Sequence, residues 1–459
     1  MDTETPRMND SDRAQCVLFE GFGSKPVTVQ FEEDRISSDG GAILLKAVDR
    51  RMGMISTLAS AFTDRRTQGR VRHEVEELLA QRIFGLACGY EDGNDAARMA
   101  SDPVMKVVAG RDPFGDDLAS QPSLSRFECA ATRGDLFRMG TDLMACVVAA
   151  QQRRRPGWSR KITIDLDQTP VPTYGGQQRT LFNGHYDTHC YIPLVAGISF
   201  HGEPDQYVVA SFLRPGNVPD KRGAIAILAR LLPLLREAFP KSRLAVRIDA
   251  GFCAPEIIDY MEKEGLDYAL AFPGNSVLHQ ASAILMSEVR CLSAASGFTE
   301  HRYAETTYQA RTWRSERRVI FKAEVTRCPG REPRDNPRYV VTNMRGSAQH
   351  IYENIYCRRG DFENRLKELK NDLSMDRLSC HKFFANQFRV LLATAAFALF
   401  QELRQGGAKL HRATVSRLRL ELVKLAARVC SSVRRIVVSL PRHFAFKAEW
   451  LALARSLAT

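Results

Sequence analysis

The hydrophobic period of this chain changes at Lys161, and that change limits the fold more than any other feature. From Gly40 to about Gln151, stretches such as "GGAILLKAVDRRMGMISTLASAF" and "VRHEVEELLAQRIFGLACGY" repeat apolar residues at helical spacing. "RRRPGWSRK", Arg153 to Lys161, is a basic linker broken by Pro and Gly. "KITIDLDQTPV" then alternates as a strand does, and "HCYIPLVAGISF" and "QYVVASFLRPG" read as two more strands. A helix follows ("RGAIAILARLLPLLREAF"), then a strand ("RLAVRIDAGF"), a short helix ("APEIIDYMEKEG") and a strand ("LDYALAFPG"). Three strands, helix, strand, helix, strand predicts a mixed α/β sheet that begins as a meander. Residues 275–345 carry the strands "RRVIFKAEVTRC" and "RYVVTNMRG" among Pro, Gly and charges, and read as a β-rich insertion. The helical pattern resumes near His350 and is expected to run to the C-terminus.

Composition narrows the class. A chain of 459 residues, 44% hydrophobic and 26% charged, has the profile of a soluble protein with two to four structural units. The most apolar run, "VLLATAAFALF" (Val390 to Phe400), is shorter than the ~18 residues a membrane span needs. The first residues, "MDTETPRMNDSDRAQ", are polar, so a cytoplasmic protein with no membrane partner is expected. Eleven Cys without a CxxC pair read as reduced thiols. The net charge of +12 is concentrated at the end: residues 401–459 hold three Lys and nine Arg against three Glu. Such a basic balance permits a nucleic-acid partner without requiring one.

Three groups of acids stand out. On the strand "ITIDLDQT", Ile162, Ile164 and Leu166 face one way and Asp165 and Asp167 the other. Two acids on one face of an apolar strand are costly to bury unless they are paired or bind metal. Asp249 closes the apolar strand "LAVRID" just before Gly251, where acids commonly line sites of α/β sheets, although a turn-forming Asp is the plainer reading. The third group lies in "YCRRGDFENRLKELK". At roughly 100° per residue, Tyr356, Arg359, Glu363 and Lys370 share a stripe about 60° wide. It borders the apolar side made by Phe362, Leu366, Leu369 and Leu373, where a solvated face would oppose it.

Those four residues satisfy the pattern Y-(2)-R-(3)-E-(6)-K. It resembles the signature around the glutamate of bacterial insertion-sequence DDE transposases, in the group called transposase DDE domain, group 1. "IDLDQT" is similar to that family's first-aspartate strand and "RIDAGF" to its second, and "GYEDGNDAARMASDP", "QPSLSRFE", "PRYVVTNMRG" and "FFANQFRVLL" agree as well. The similarity runs from about residue 25 to 410.

The resemblance implies an α/β fold with an RNase H-like catalytic core, a β-rich insertion and flanking helical regions. On that reading, residues 1–155 form a helical DNA-end-binding region, and 156–274 the first part of the core. Residues 275–345 form the insertion, 346–400 the glutamate-bearing part, and 401–459 a basic helical end. Asp167, Asp249 and Glu363 become the catalytic acids and ligands of two Mg²⁺ (or Mn²⁺) ions, with Asp165 the alternative first acid. Tyr356, Arg359, Lys370 and Trp313 become DNA-binding residues. The implied reaction is cleavage of the element's terminal inverted repeats and their joining to target DNA by a nucleoid-associated protein, dimeric on double-stranded DNA. The alternatives are an RNase H-like nuclease without strand transfer and an inactive DNA-binding relic. A two-carboxylate glycosidase fits poorly, because it leaves the Tyr-Arg-Glu-Lys stripe and the basic balance without a purpose.

Overall fold

The computed structural model describes residues 17–19, 27–29, 33–156, 158–407 and 410–458. Most of the extended entry expected over residues 1–35 lies outside them; what is described there is the short pair β1 (Val17–Phe19) and β2 (Val27–Val29), and β3 (Ile36–Ser37) follows. The helical stretch then comprises α1 (Ala42–Met52), α2 (Met54–Ala61), α3 (Val75–Cys88), α4 (Gly93–Arg98), α5 (Pro103–Val108), α6 (Gln121–Ala130) and α7 (Arg133–Arg154). A capping box starts α7: the Thr132 hydroxyl and Asp135 carboxylate each accept from the other residue's backbone N–H.

The meander is β4 (Lys161–Gln168), β8 (Leu194–Phe200) and β9 (Gln206–Phe212), antiparallel in that order. The short strands β5 (Val171–Pro172), β6 (Leu181–Asn183) and β7 (Thr188–Tyr191) form a side sheet between β4 and β8. Next come α8 (Ala224–Ala238), β10 (Arg243–Ile248), α9 (Pro255–Lys263) and β11 (Asp267–Phe272), the succession of types expected from the sequence. β4, β10 and β11 are parallel neighbours. The fold is thus mixed α/β.

Residues 275–345 differ from the β-rich reading in two respects. They begin with the 21-residue helix α10 (Ser276–Ser296). Its buried Leu278, Ser282, Met286, Val289 and Ser293 recur at helical spacing, and the Asn275 side chain caps it. The strands β12 (Glu300–Tyr308), β13 (Arg317–Thr326), β14 (Arg334–Asp335) and β15 (Arg338–Thr342) then extend the same sheet, giving the order β12-β13-β15-β11-β10-β4-β8-β9 with β14 beside β13.

The C-terminal part also departs from an all-helical end. After α11 (Ala348–His350), a π-helical turn (Ile351–Tyr356), α12 (Arg359–Asn371), α13 (Phe383–Arg404) and α14 (Val415–Leu418) comes a hairpin, β16 (Ala427–Ser432) and β17 (Arg435–Ser439), before α15 (Lys447–Ala458). β16 pairs with β3, nearly the whole chain away. Several cations of this basic segment are structural. Arg404 pairs with buried Glu368, Lys424 with Asp39 at 2.7 Å, and Arg419 donates to the carbonyls of Ala87, Leu86 and Asp372.

α13 is long and apolar enough to cross a membrane by length and composition, but nearly all of it is buried within the protein. It lies along β9, the edge strand of the sheet. Gln401 accepts from the Val208 N–H (3.0 Å) and donates to the Gln206 carbonyl (2.5 Å), while Gln387 accepts from the Leu213 N–H (2.5 Å) and donates to the Ser211 carbonyl (3.2 Å). Two glutamines thereby satisfy backbone groups that an open sheet edge would leave unpaired.

Candidate active site

Strand alternation and register assemble the site. Along β4, Ile162, Ile164 and Leu166 are fully buried on one face, and Lys161, Thr163, Asp165 and Asp167 take the other. β10 pairs in parallel with β4, Arg247 beside Asp165 and Ile248 beside Leu166, so Asp249 emerges next to Asp167 at the carboxyl ends of both strands. The third element is α12, whose buried Phe362, Leu366 and Leu369 pack it onto the protein. Gly197 on β8 makes the close approach possible, since a Cβ there would lie 2.2 Å from the Phe362 ring. Packing Phe362 into that gap carries the adjacent Glu363 toward the strand ends.

Asp167, Asp249 and Glu363 line one open pocket of about 310 Å³, together with Arg359, Lys370, Tyr186 and Asp220. Arg359 stands among the acids. It donates to Asp167 Oδ2 at 3.1 Å and to Glu363 Oε1 at 2.8 Å, and lies 3.9 Å from Asp249 Oδ2. Each aspartate is also held by the backbone: Asp167 accepts from the Gln168 N–H (2.8 Å), and Asp249 from the Ala250 N–H (2.6 Å).

The electrostatics follow from this packing. Burial is the main cause that pushes the Asp167 carboxyl up to about 6; Glu363 and Asp249 add to it, and Arg359 and the Gln168 N–H oppose it. Burial alone would lower the Arg359 guanidinium, but Asp167, Asp249, Tyr356 and Glu363 outweigh it and hold Arg359 above its ordinary value. Burial, then Asp220 and Asp167, raises the Tyr186 phenol.

The other expected residues fall in different places. Asp165 is buried and both its oxygens accept from Arg247, at 2.7 Å each; Arg247 also donates to the Ile355 carbonyl at 2.8 Å. Asp165 is not among the residues that line the pocket. Lys370 lines the pocket and donates to the Pro170 carbonyl at 3.1 Å. Tyr356 does not continue the α12 stripe, because the π-helical turn, closed by Cys357 N–H to the Tyr352 carbonyl (2.9 Å), interrupts the register before Arg359. It stays beside Arg359, and burial raises its phenol. Trp313 is not brought to the pocket: it is 6% exposed and packs against Phe272, Tyr308 and Arg317.

Asp220, a fourth carboxylate, was not anticipated. It sits in the loop between β9 and α8, and its Oδ2 would lie 2.1 Å from a Cβ at position 251, so Gly251 admits it. Nothing in its local sequence marks it; only the following Gly after "RIDA" hints at a close approach.

Among the described residues, no three His, Cys, Asp or Glu side chains converge closely enough, as they stand, to hold a metal ion. Arg359 is within ion-pair distance of all three acids and offsets their charge. The donor set is nonetheless all oxygen, which suits a hard divalent cation such as Mg²⁺. The pocket therefore offers carboxylates from a strand, a strand end and a helix, with Arg359 and Lys370 beside them.

A family model described as transposase DDE domain group 1 matches residues 19–459. No curated protein matches the chain.

Proposed function

The chain belongs to the transposase DDE domain group 1 family, and from that premise we propose that it binds the ends of an insertion element, cleaves them and joins them to target DNA at Asp167, Asp249 and Glu363. The observation that carries this reading is the meeting of those three carboxylates, from three separate elements, around Arg359 in one open pocket. The core that holds them, residues 156–274 and 346–400, is proposed to be RNase H-like. Residues 1–155 would engage the element's ends, and residues 401–459 DNA or a second protomer. Cutting two ends together calls for a dimer on the DNA.

Asp167, Asp249 and Glu363 would hold two Mg²⁺ or Mn²⁺ ions, which when bound supply nucleophile activation and leaving-oxygen stabilisation for in-line displacement at phosphorus. The chain's own residues prepare that step. The backbone N–H groups of Gln168 and Ala250 fix the two aspartates at the strand ends. Arg359 neutralises the acids in the DNA-free protein, and is free to hold a phosphate oxygen once their charge is met otherwise. Lys370, anchored at the Pro170 carbonyl, adds a second cation at the pocket rim. Tyr356 contributes an aromatic face beside Arg359. One pocket serves both stages, because only the nucleophile changes: water frees a 3′-hydroxyl at the element's end, and that hydroxyl then attacks the target.

Strand transfer is the decisive assay. A duplex ending in a pre-cut element terminus, mixed with a supercoiled plasmid and Mg²⁺, should become covalently joined to it. Cleavage of uncut ends without any joined product would leave a nuclease in place of a transposase.

A further inference from the structure

A cavity of about 740 Å³ lies on the same sheet face as the acids but at the opposite strand ends. Lys161 and Arg243 begin β4 and β10 there, Arg247 projects from the penultimate position of β10, exposed Arg160 and Arg345 line it as well, and Arg358 lines it from the turn before α12. These six cations meet three acids. Asp267 takes Arg243 at 2.9 Å and Lys161 at 3.8 Å, Asp165 takes Arg247, and Asp361 lies 3.6 Å from Arg358. Arg160 and Arg345, both exposed, have no acid partner among the described residues. Burial, with Arg243 and Arg247 nearby, holds the Lys161 ammonium below its ordinary value despite Asp267, as expected where positive charge is crowded.

Resting on the DNA-processing function above, we propose that this cleft is a second DNA-binding site, which grips the phosphodiester backbone away from the point of cleavage. Guanidinium groups match phosphate oxygens in geometry and charge, and five of the six cations are arginines. Phe200, the one Phe, Tyr or Trp among the described residues lining the cleft, is almost fully buried, so it offers no stacking platform for a base and favours backbone contact. Lys161 and Asp167 are six residues apart on β4, a span of about 20 Å, or roughly six nucleotides of one strand. A single DNA molecule held at the acids is long enough to reach the cleft.

The test measures the salt dependence of duplex binding, by fluorescence anisotropy in EDTA, for the full chain and for the double variant R160A/R345A. Neither arginine has an acid partner to lose among the described residues, and circular dichroism checks that the variant is folded. If each arginine meets one phosphate, the slope of log K against log salt should become shallower by about 1.8, and affinity should fall at least about tenfold at moderate salt. Binding of ATP or inorganic phosphate, measured by calorimetry, should be weak and should not compete with the duplex. An unchanged slope and affinity would overturn the proposal while leaving the catalytic reading intact. Tight ATP binding lost in the double variant, with the DNA slope unchanged, would assign the cleft to small anions and overturn it too. Failure of the unaltered chain to bind any duplex would bring down both readings.

Discussion

Asp165 and Asp167 share a strand face but sit in opposite electrostatic situations, and exchanging each for Asn should separate them. Asp165 is 1% exposed and doubly bonded to Arg247, itself buried. Removing one partner of such a buried pair costs about 3–5 kcal/mol, because the other charge is left without compensation. Asp165→Asn should lose that much unfolding free energy. Arg247→Met should be similarly costly, and the double variant should cost less than the sum by about 2 kcal/mol. Asp167 is the reverse case. Its carboxyl is raised from 3.8 to about 6, so ionisation at neutral pH opposes folding by up to about 3 kcal/mol. Asp167→Asn removes that burden and should stabilise the metal-free protein while abolishing cleavage. Urea denaturation in EDTA at neutral pH, followed by circular dichroism, reads both. A stable D165N beside a D167N that loses 3–5 kcal/mol would refute the assignment of Asp165 to structure and Asp167 to chemistry.

The same raised carboxyl predicts a pH signature: stability from Asp167 is fully present below its unfolded value of 3.8 and lost as pH rises through about 6. The melting temperature of D167N should therefore exceed that of the unaltered protein by a margin that opens between those values and stays constant above them; a margin that grows on acidification would contradict it. At Gly197, an added Cβ would meet the Phe362 ring at 2.2 Å. Gly197→Ala should cost about 1–3 kcal/mol by overpacking and slow DNA cleavage at least tenfold by displacing the Glu363 helix, with duplex affinity kept. Trp313→Ala should lose about 3–5 kcal/mol of stability and leave end binding unchanged, because the ring is buried among Phe272, Tyr308 and Arg317. A selective loss of end binding in a stable W313A would return that residue to the DNA.

What the chain discloses before folding is what depends on local periodicity. Alternation along β4 assigned both aspartates to one face, and the helical stripe put Glu363 on a border of the apolar side of α12. What it conceals is set by distant partners. Whether Asp165 or Asp167 points into the pocket is decided by the cross-strand register that puts Arg247 beside Asp165. Asp220 enters through the missing side chain of Gly251. The hairpin of β16 and β17 lies in a basic stretch, and β16 pairs with β3 near the other end of the chain, a contact no local window contains. The π-helical turn before Arg359 shifts Tyr356 out of a stripe that uniform helical geometry would have kept straight. The helix α10 is a different case: its apolar spacing and its Asn275 cap are present in the sequence, but its apolar stripe is narrow and much of its surface is exposed.

Asp167, Asp249 and Glu363 should act together on DNA, and Glu363→Gln tests this most directly. Glu363 is partly exposed and has Arg359 as its one polar partner among the described residues, so the variant should fold normally. Purified protein, Mg²⁺ and a duplex carrying the element's terminal repeat should yield cut ends with 3′-hydroxyl groups, and E363Q should yield none while binding the same duplex with unchanged affinity. Cleavage by E363Q at the rate of the unaltered protein would contradict the account.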